Sequence, residues 1–183
     1  MKNLFPACMG IVLVIACGGA EEQDVPETRA SAGQAAPFDA RFIDAMTEHH
    51  LGAVTMAGEA LDSAAHPEII SLASGIIEGQ SAEIDSMGAW RAAWYPDLGA
   101  TDGMGMSMGA MEIAGDREIP WDIRFLDAMI SHHEGAIVMA EEALDSAVHP
   151  EILSLAAGIL AAQEEEIVGM RTYRAAWSDS VSQ

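Results

Sequence analysis

Residues 41–69 read RFIDAMTEHHLGAVTMAGEALDSAAHPEI, and residues 124–152 read RFLDAMISHHEGAIVMAEEALDSAVHPEI. The second stretch is the first displaced by 83 residues. The register holds without a gap from Arg41–Trp94 to Arg124–Trp177, with 34 of 54 positions identical. An internal copy of this length outranks local signals, because one supersecondary unit is being used twice.

Each copy reads as two helices. With His49 at zero on a helical wheel, at roughly 100° per residue, Phe42, Met46, Ala53, Met56 and Ala60 fall on its side and Asp44, Glu48, Thr55, Glu59 and Asp62 opposite. The spacing predicts an amphipathic helix from about Phe38 to Asp62, with His49 central on its apolar face and His50 at the edge. His66-Pro67-Glu68 opens a second helix, since proline suits the first turn and an acid there favours the dipole. That helix runs to about Trp94, and Pro96 stops it. Its apolar side carries Ile69, Ala73, Ile76, Gln80, Ile84, Met87 and Trp94.

A hairpin with one apolar face cannot bury that face alone. The predicted fold is therefore all-α: a four-helix bundle, ferritin-like, made of two repeated hairpins related by pseudo-twofold symmetry. Its domain spans 38–177, as repeat 1 (38–95), a linker (96–120) and repeat 2 (121–177), followed by a tail (178–183). The linker is long enough to cross from one end of a bundle to the other. The symmetry brings equivalent residues of the first and third helices together at the centre.

Upstream lies a targeting signal. Lys2 precedes an apolar run from Leu4 to Ala16, too short to span a bilayer. The run ends at Val14-Ile15-Ala16-Cys17-Gly18, which resembles a bacterial lipobox. This predicts a signal peptide over 1–16, lipidation of Cys17, a flexible tether over 17–37, and a lipid-anchored protein of the bacterial cell envelope, at the outer membrane facing the periplasm or at the cell surface. Cys8 then leaves with the signal, so any soft-metal site in the mature chain is built without thiolate. With 29 acidic and 8 basic residues, a net charge of -21, the surface repels phosphate backbones and argues against nucleic acid as a partner. It concentrates cations instead.

The residues that carry chemistry are Met46, His49, His50 and Met56, repeated as Met129, His132, His133 and Met139. Met46 stands three and four positions before the two histidines, spacings that share a helix face. Imidazole suits copper, zinc and iron, and thioether selects Cu(I) and, by similarity, Ag(I). Gln80, Glu83 and Met87, repeated as Gln163, Glu166 and Met170, lie on the second helices. They are read as partners that orient the histidines or as extra ligands, with Glu83 and Glu166 suited to a harder metal. His66 and His149 stand at helix starts, where capping or surface roles are ordinary. In the linker, Met104, Met106, Met108 and Met111 stand among glycines. They suit either a capture arm for Cu(I) or Ag(I) or a loop folded over the bundle mouth.

RFIDAMTEHHLGAVTMA and RFLDAMISHHEGAIVMA, each followed by a Q-x-x-E-I-x-x-M helix, resemble the family catalogued as domain of unknown function 305. The resemblance covers roughly 38–177. It implies a ferritin-like, mostly exported four-helix protein, and some members are linked to copper binding and resistance in the periplasm. Positions 48 and 131 depart from the proline frequent before the histidine pair. The leading expectation is a lipoprotein that binds Cu(I), or another transition metal, for sequestration or handling. The alternatives are a metal-free structural or interaction lipoprotein with an unknown protein partner, and a ferritin-like metal-dependent oxidase. Against the oxidase, neither repeat holds the Glu-x-x-His of a carboxylate di-iron site, and no Ser-His-Asp arrangement or phosphate loop is visible.

Overall fold

Proline marks all four helix starts, Pro37 and Pro67 in the first copy and Pro120 and Pro150 in the second. A computed structural model of the protein describes residues 35–106 and 108–181, with side chains as far as 177. It contains α1 (Phe38–Ser63), α2 (Pro67–Trp94), α3 (Trp121–Ser146) and α4 (Pro150–Val181), and no strand among the described residues. The segment 1–16 expected to be a signal peptide, Cys17 and most of the expected tether over 17–37 lie outside the described residues. No described helix is long and apolar enough to cross a membrane.

Pro37 and Pro120 are the N-cap residues of α1 and α3, and Pro67 occupies the first turn of α2, where its missing N–H costs nothing. His66, ahead of Pro67, is extended, as steric conflict with a following proline ring requires. Tyr95 leaves the helical region just before Pro96 and ends α2.

α2 lies along α1 and α4 along α3, and the two hairpins meet through α1 and α3. The apolar core is divided in two. One cluster joins Ala53, Met56, Ala57 and Ala60 of α1 to Ile69, Ala73 and Ile76 of α2, with Phe125, Leu126 and Met129 of α3 and Ile167 and Met170 of α4. The other joins Phe42, Ile43 and Met46 to Met87, Ala136, Met139, Ala143, Ile152 and Ile159. The clusters exchange under the 83-residue offset, as a pseudo-twofold demands. Each buried Phe, Ile or Met contributes about 1.5–3 kcal/mol. Two such clusters offset the cost of what lies between them, a layer of four fully buried histidines.

Candidate metal centre

The histidine layer stands where α1 and α3 cross. His49 and His132 meet at the pseudo-twofold with ring centroids 3.7 Å apart. His50 and His133 flank them at 6.2 and 6.1 Å from their chain neighbours. The wheel placed His50 at the edge of the apolar face, yet it is as buried as His49. The difference comes from α2, which covers that edge with Glu83.

Glu83 Oε2 lies 2.7 Å from His50 Nε2, and Glu166 Oε2 lies 2.7 Å from His133 Nε2. A carboxylate only accepts, so the shared proton sits on Nε2 in both pairs. His132 donates its own Nε2–H to the carbonyl of His49 at 2.9 Å. Nδ1 of His50, His132 and His133 is then left buried without a partner, and so are both ring nitrogens of His49. The carbonyl of Met108 faces His49 but meets it in geometry too poor for a hydrogen bond. Five orphaned imidazole nitrogens in one layer is a large departure from the rule that buried polar atoms are paired.

Burial holds the two central histidines neutral. Desolvation, reinforced by the cost of placing two positive charges on neighbouring rings, pushes His49 down to about 4 and His132 down to about 2. Both rings therefore keep a lone pair for a metal even in mildly acidic surroundings.

Methionines face this layer from both sides. Met46, Met87 and Met139 belong to one apolar cluster, and Met56, Met129 and Met170 to the other, all at most 1% exposed. The sequence grouped Met46 with Met56, on one helix. The fold re-sorts them by side of the layer. Thr47 Oγ1 approaches the Met87 sulfur at 3.9 Å. Gln80 and Gln163 are buried in the cleft between α2 and α4 and make no bond to the histidines. Gln80 Oε1 and both amide atoms of Gln163 lack partners. Among the described residues, no three His, Cys, Asp or Glu side chains converge closely enough to chelate an ion. A metal in this layer would draw on nitrogen together with sulfur.

The linker folds onto the bundle. Its seat is prepared by Gly52 and Gly135, equivalent positions just after each histidine pair. A Cβ on Gly135 would lie 2.7 Å from the Met108 carbonyl carbon, and one on Gly52 would lie 2.6 Å from Met111 Cε and 3.3 Å from His132 Nε2. Gly109, with φ of 70°, rests against the backbone of Ser131. Met104, Met106 and Met108 are half-buried. Asp44, Glu48, Thr101, Met104, Met106, Met108 and Met139 line a cavity of about 290 Å³.

One constellation escaped the sequence reading. Asp122, at the start of α3, accepts from Ala65 N, His66 N and His66 Nδ1, the last at 2.5 Å. Asp39, at the start of α1, accepts from Val148 N, His149 N and His149 Nδ1 in the same way. His66 stacks on Trp177 and His149 on Trp94. Each hairpin thus clasps the turn of the other, and His66 and His149 do not cap α2 and α4 through their side chains. The signal was present: Pro37 and Asp39 recur as Pro120 and Asp122 at the same offset of 83.

The chain matches the family described as "Domain of unknown function (DUF305)" over residues 16–91 and again over 39–174, and it belongs to that family. Among solved structures it is similar to "CopM in the Cu(I)-bound form", at 33% identity and TM-score 0.65, covering 76% of this chain and 96% of that one. CopM has also been solved in a Cu(II)-bound form, at 34% identity and TM-score 0.65, covering 79% of this chain and 99% of that one. A DUF305 fragment from Deinococcus radiodurans is similar at 28% identity and TM-score 0.63, covering 77% and 97%. No curated protein matches significantly.

Proposed function

We propose that this chain binds a soft metal ion, Cu(I) or Ag(I), between its two hairpins and serves to sequester or hand on copper. The ligands are drawn from His49, His50, His132 and His133 and from the methionines on either side, Met46, Met56, Met129 and Met139, with Met87 and Met170 as further sulfur donors. One observation carries the reading: five unpartnered imidazole nitrogens lie in a layer faced by buried thioethers on both sides. Leaving such groups unbonded is costly, and a metal ion ligated by one nitrogen from each of several of these rings offsets part of that cost. Glu83 and Glu166 fix which nitrogen of His50 and His133 is offered, as carboxylates do for metal-bound histidine. The likeness to CopM, solved with Cu(I), Cu(II) and Ag, supports the choice of metal. We also propose lipidation of Cys17 and a place on the bacterial cell envelope, tested by whether Cys17→Ser moves the protein from the membrane to the soluble fraction.

The test of metal binding is a thermal melt of the full chain carrying Cys8→Ser and Cys17→Ser, so that no thiolate competes, with Cu(I), Ag(I), Zn(II) and Fe(II). A ligand at a hundred times its dissociation constant stabilises the folded state by about 2.7 kcal/mol. For a domain of this size that raises the melting temperature by roughly 5–10 °C. The expected result is such a rise with Cu(I) and Ag(I), absent when Met46, Met56, Met129 and Met139 are all leucine. Met-to-Leu changes nearly conserve volume, so the fold survives them. No rise with any metal refutes the proposal.

A further inference from the structure

The cleft between α2 and α4 holds polar atoms that the copper reading leaves unused. Gly75, Ile76, Gly79, Gln80 and Glu83 form one wall, and Ile159, Ala162, Gln163 and Glu166 form the other. The cavity between them measures about 60 Å³, room for on the order of two water-sized groups. Gln80 is 5% exposed and Gln163 2%, yet Gln80 Oε1, Gln163 Oε1 and Gln163 Nε2 have no partner. Nothing forces the cleft open: a Cβ on Gly75, Gly79 or Gly158 would meet no atom within 4 Å.

The charges point one way. Glu83 and Glu166 line the cleft, and each commits Oε2 to a buried histidine, which leaves its Oε1 for another partner. No basic residue lines it. Two carboxylates and two amide oxygens on facing helices form an oxygen-only donor set. Such a set suits a hard divalent cation, which keeps some of its water, and does not suit Cu(I). We propose that this cleft binds one hard divalent cation, of the Ca²⁺, Mg²⁺ or Mn²⁺ class, through the side-chain oxygens of Glu83, Glu166, Gln80 and Gln163. The cation bridges α2 and α4 across the cleft. The amide N–H₂ of Gln163 turns to a water of the cation. The site is separate from the nitrogen and sulfur atoms proposed for copper and does not rest on that proposal.

Mn²⁺ is the probe, because free Mn²⁺ gives an electron paramagnetic resonance signal that binding removes. The full chain with both cysteines changed to serine, and no copper added, is titrated in about 0.15 M salt, which screens diffuse surface attraction over about 8 Å. The expected result is one saturable site per chain, with a dissociation constant of about 1 mM or below, displaced by Ca²⁺ or Mg²⁺. Gln80→Leu with Gln163→Leu is expected to weaken it at least tenfold while Ag(I) binding is kept. Glu83→Gln with Glu166→Gln is expected to abolish it. That pair still offers an acceptor to each histidine, so it decides the matter if the leucine pair unfolds. Glu141→Gln with Asp145→Asn removes the same charge from the exposed side of α3 and is expected to change nothing. Absence of a saturable site, or equal affinity in the wild type and the Glu-to-Gln pair, overturns the proposal.

Discussion

Removing the two central histidines should change how stability depends on pH, by an amount the structure supplies. In the unfolded chain His49 and His132 titrate near 6.5; in the folded protein burial lowers them to about 4 and about 2. A depressed folded-state value means that the unfolded chain takes up protons first. Stability is therefore flat above pH 6.5 and falls as pH drops below it, until the folded values are reached. Each histidine contributes a slope of about 1.36 kcal/mol per pH unit in that window. Between pH 8 and pH 5 that amounts to about 2 kcal/mol each, and about 4 kcal/mol together. This is a large part of the 5–15 kcal/mol typical of a domain. The assay is urea unfolding of metal-free protein at pH 8, 7, 6 and 5, for the wild type and for His49→Leu with His132→Leu. The other four histidines are common to both proteins. The stability difference between wild type and variant should move by about 4 kcal/mol against the wild type across the series. A difference that stays constant within about 1 kcal/mol refutes the reasoning.

Three further outcomes follow from the contacts. Glu83→Leu strips His50 Nε2 of its acceptor: it should cost about 1–3 kcal/mol in chemical denaturation and lower Cu(I) affinity about 10–100-fold in a competition titration. Asp39→Ala leaves three donors of the opposite hairpin unmatched and should cost about 3 kcal/mol or more in urea melts, with Asp122→Ala costing nearly the same by symmetry. Gly135→Ala drives a methyl into the linker backbone, so limited proteolysis should cut residues 100–115 faster. Gly52→Ala meets the end of the Met111 side chain and the His132 ring rather than linker backbone and should do so far less, while Gly88→Ala, with open space around it, should stabilise by up to about 1 kcal/mol.

The fold was legible in the sequence because both its signals are repeated. Gapless recurrence gave the hairpin, and the wheel placed His49 and His132 at the centre of their faces, where the pseudo-twofold brings them together. What stayed hidden depends on which helix lies opposite. A single-helix wheel cannot show that Glu83 covers His50, nor that Met46 belongs with Met139 across the bundle. Asp39 and Asp122 were missed for a simpler reason. They lie two positions before the gapless block that begins at Arg41 and Arg124, and a helix-start acid reads as dipole compensation until the turn it binds is known. The seat of the linker on Gly52 and Gly135 was equally out of reach. A glycine inside a helix marks a close approach only once the approaching segment is located.

The linker crosses the pseudo-twofold only once, and so the two halves cannot be alike. Gly52 receives a methionine side chain while Gly135 receives backbone, and only His132, not His49, spends its Nε2–H on the other's carbonyl. In a dimer of identical hairpins every inherited change would strike both sides of the dyad together. Fusing two copies in one gene removes that constraint, and the chain has already used the freedom. Glu134 and Arg171 form an ion pair at 2.7 Å on one hairpin, where the other carries Leu51 and Gly88 at the equivalent positions. The two halves of the histidine layer, which began as copies, can then diverge one substitution at a time while the dyad still governs the backbone that carries them.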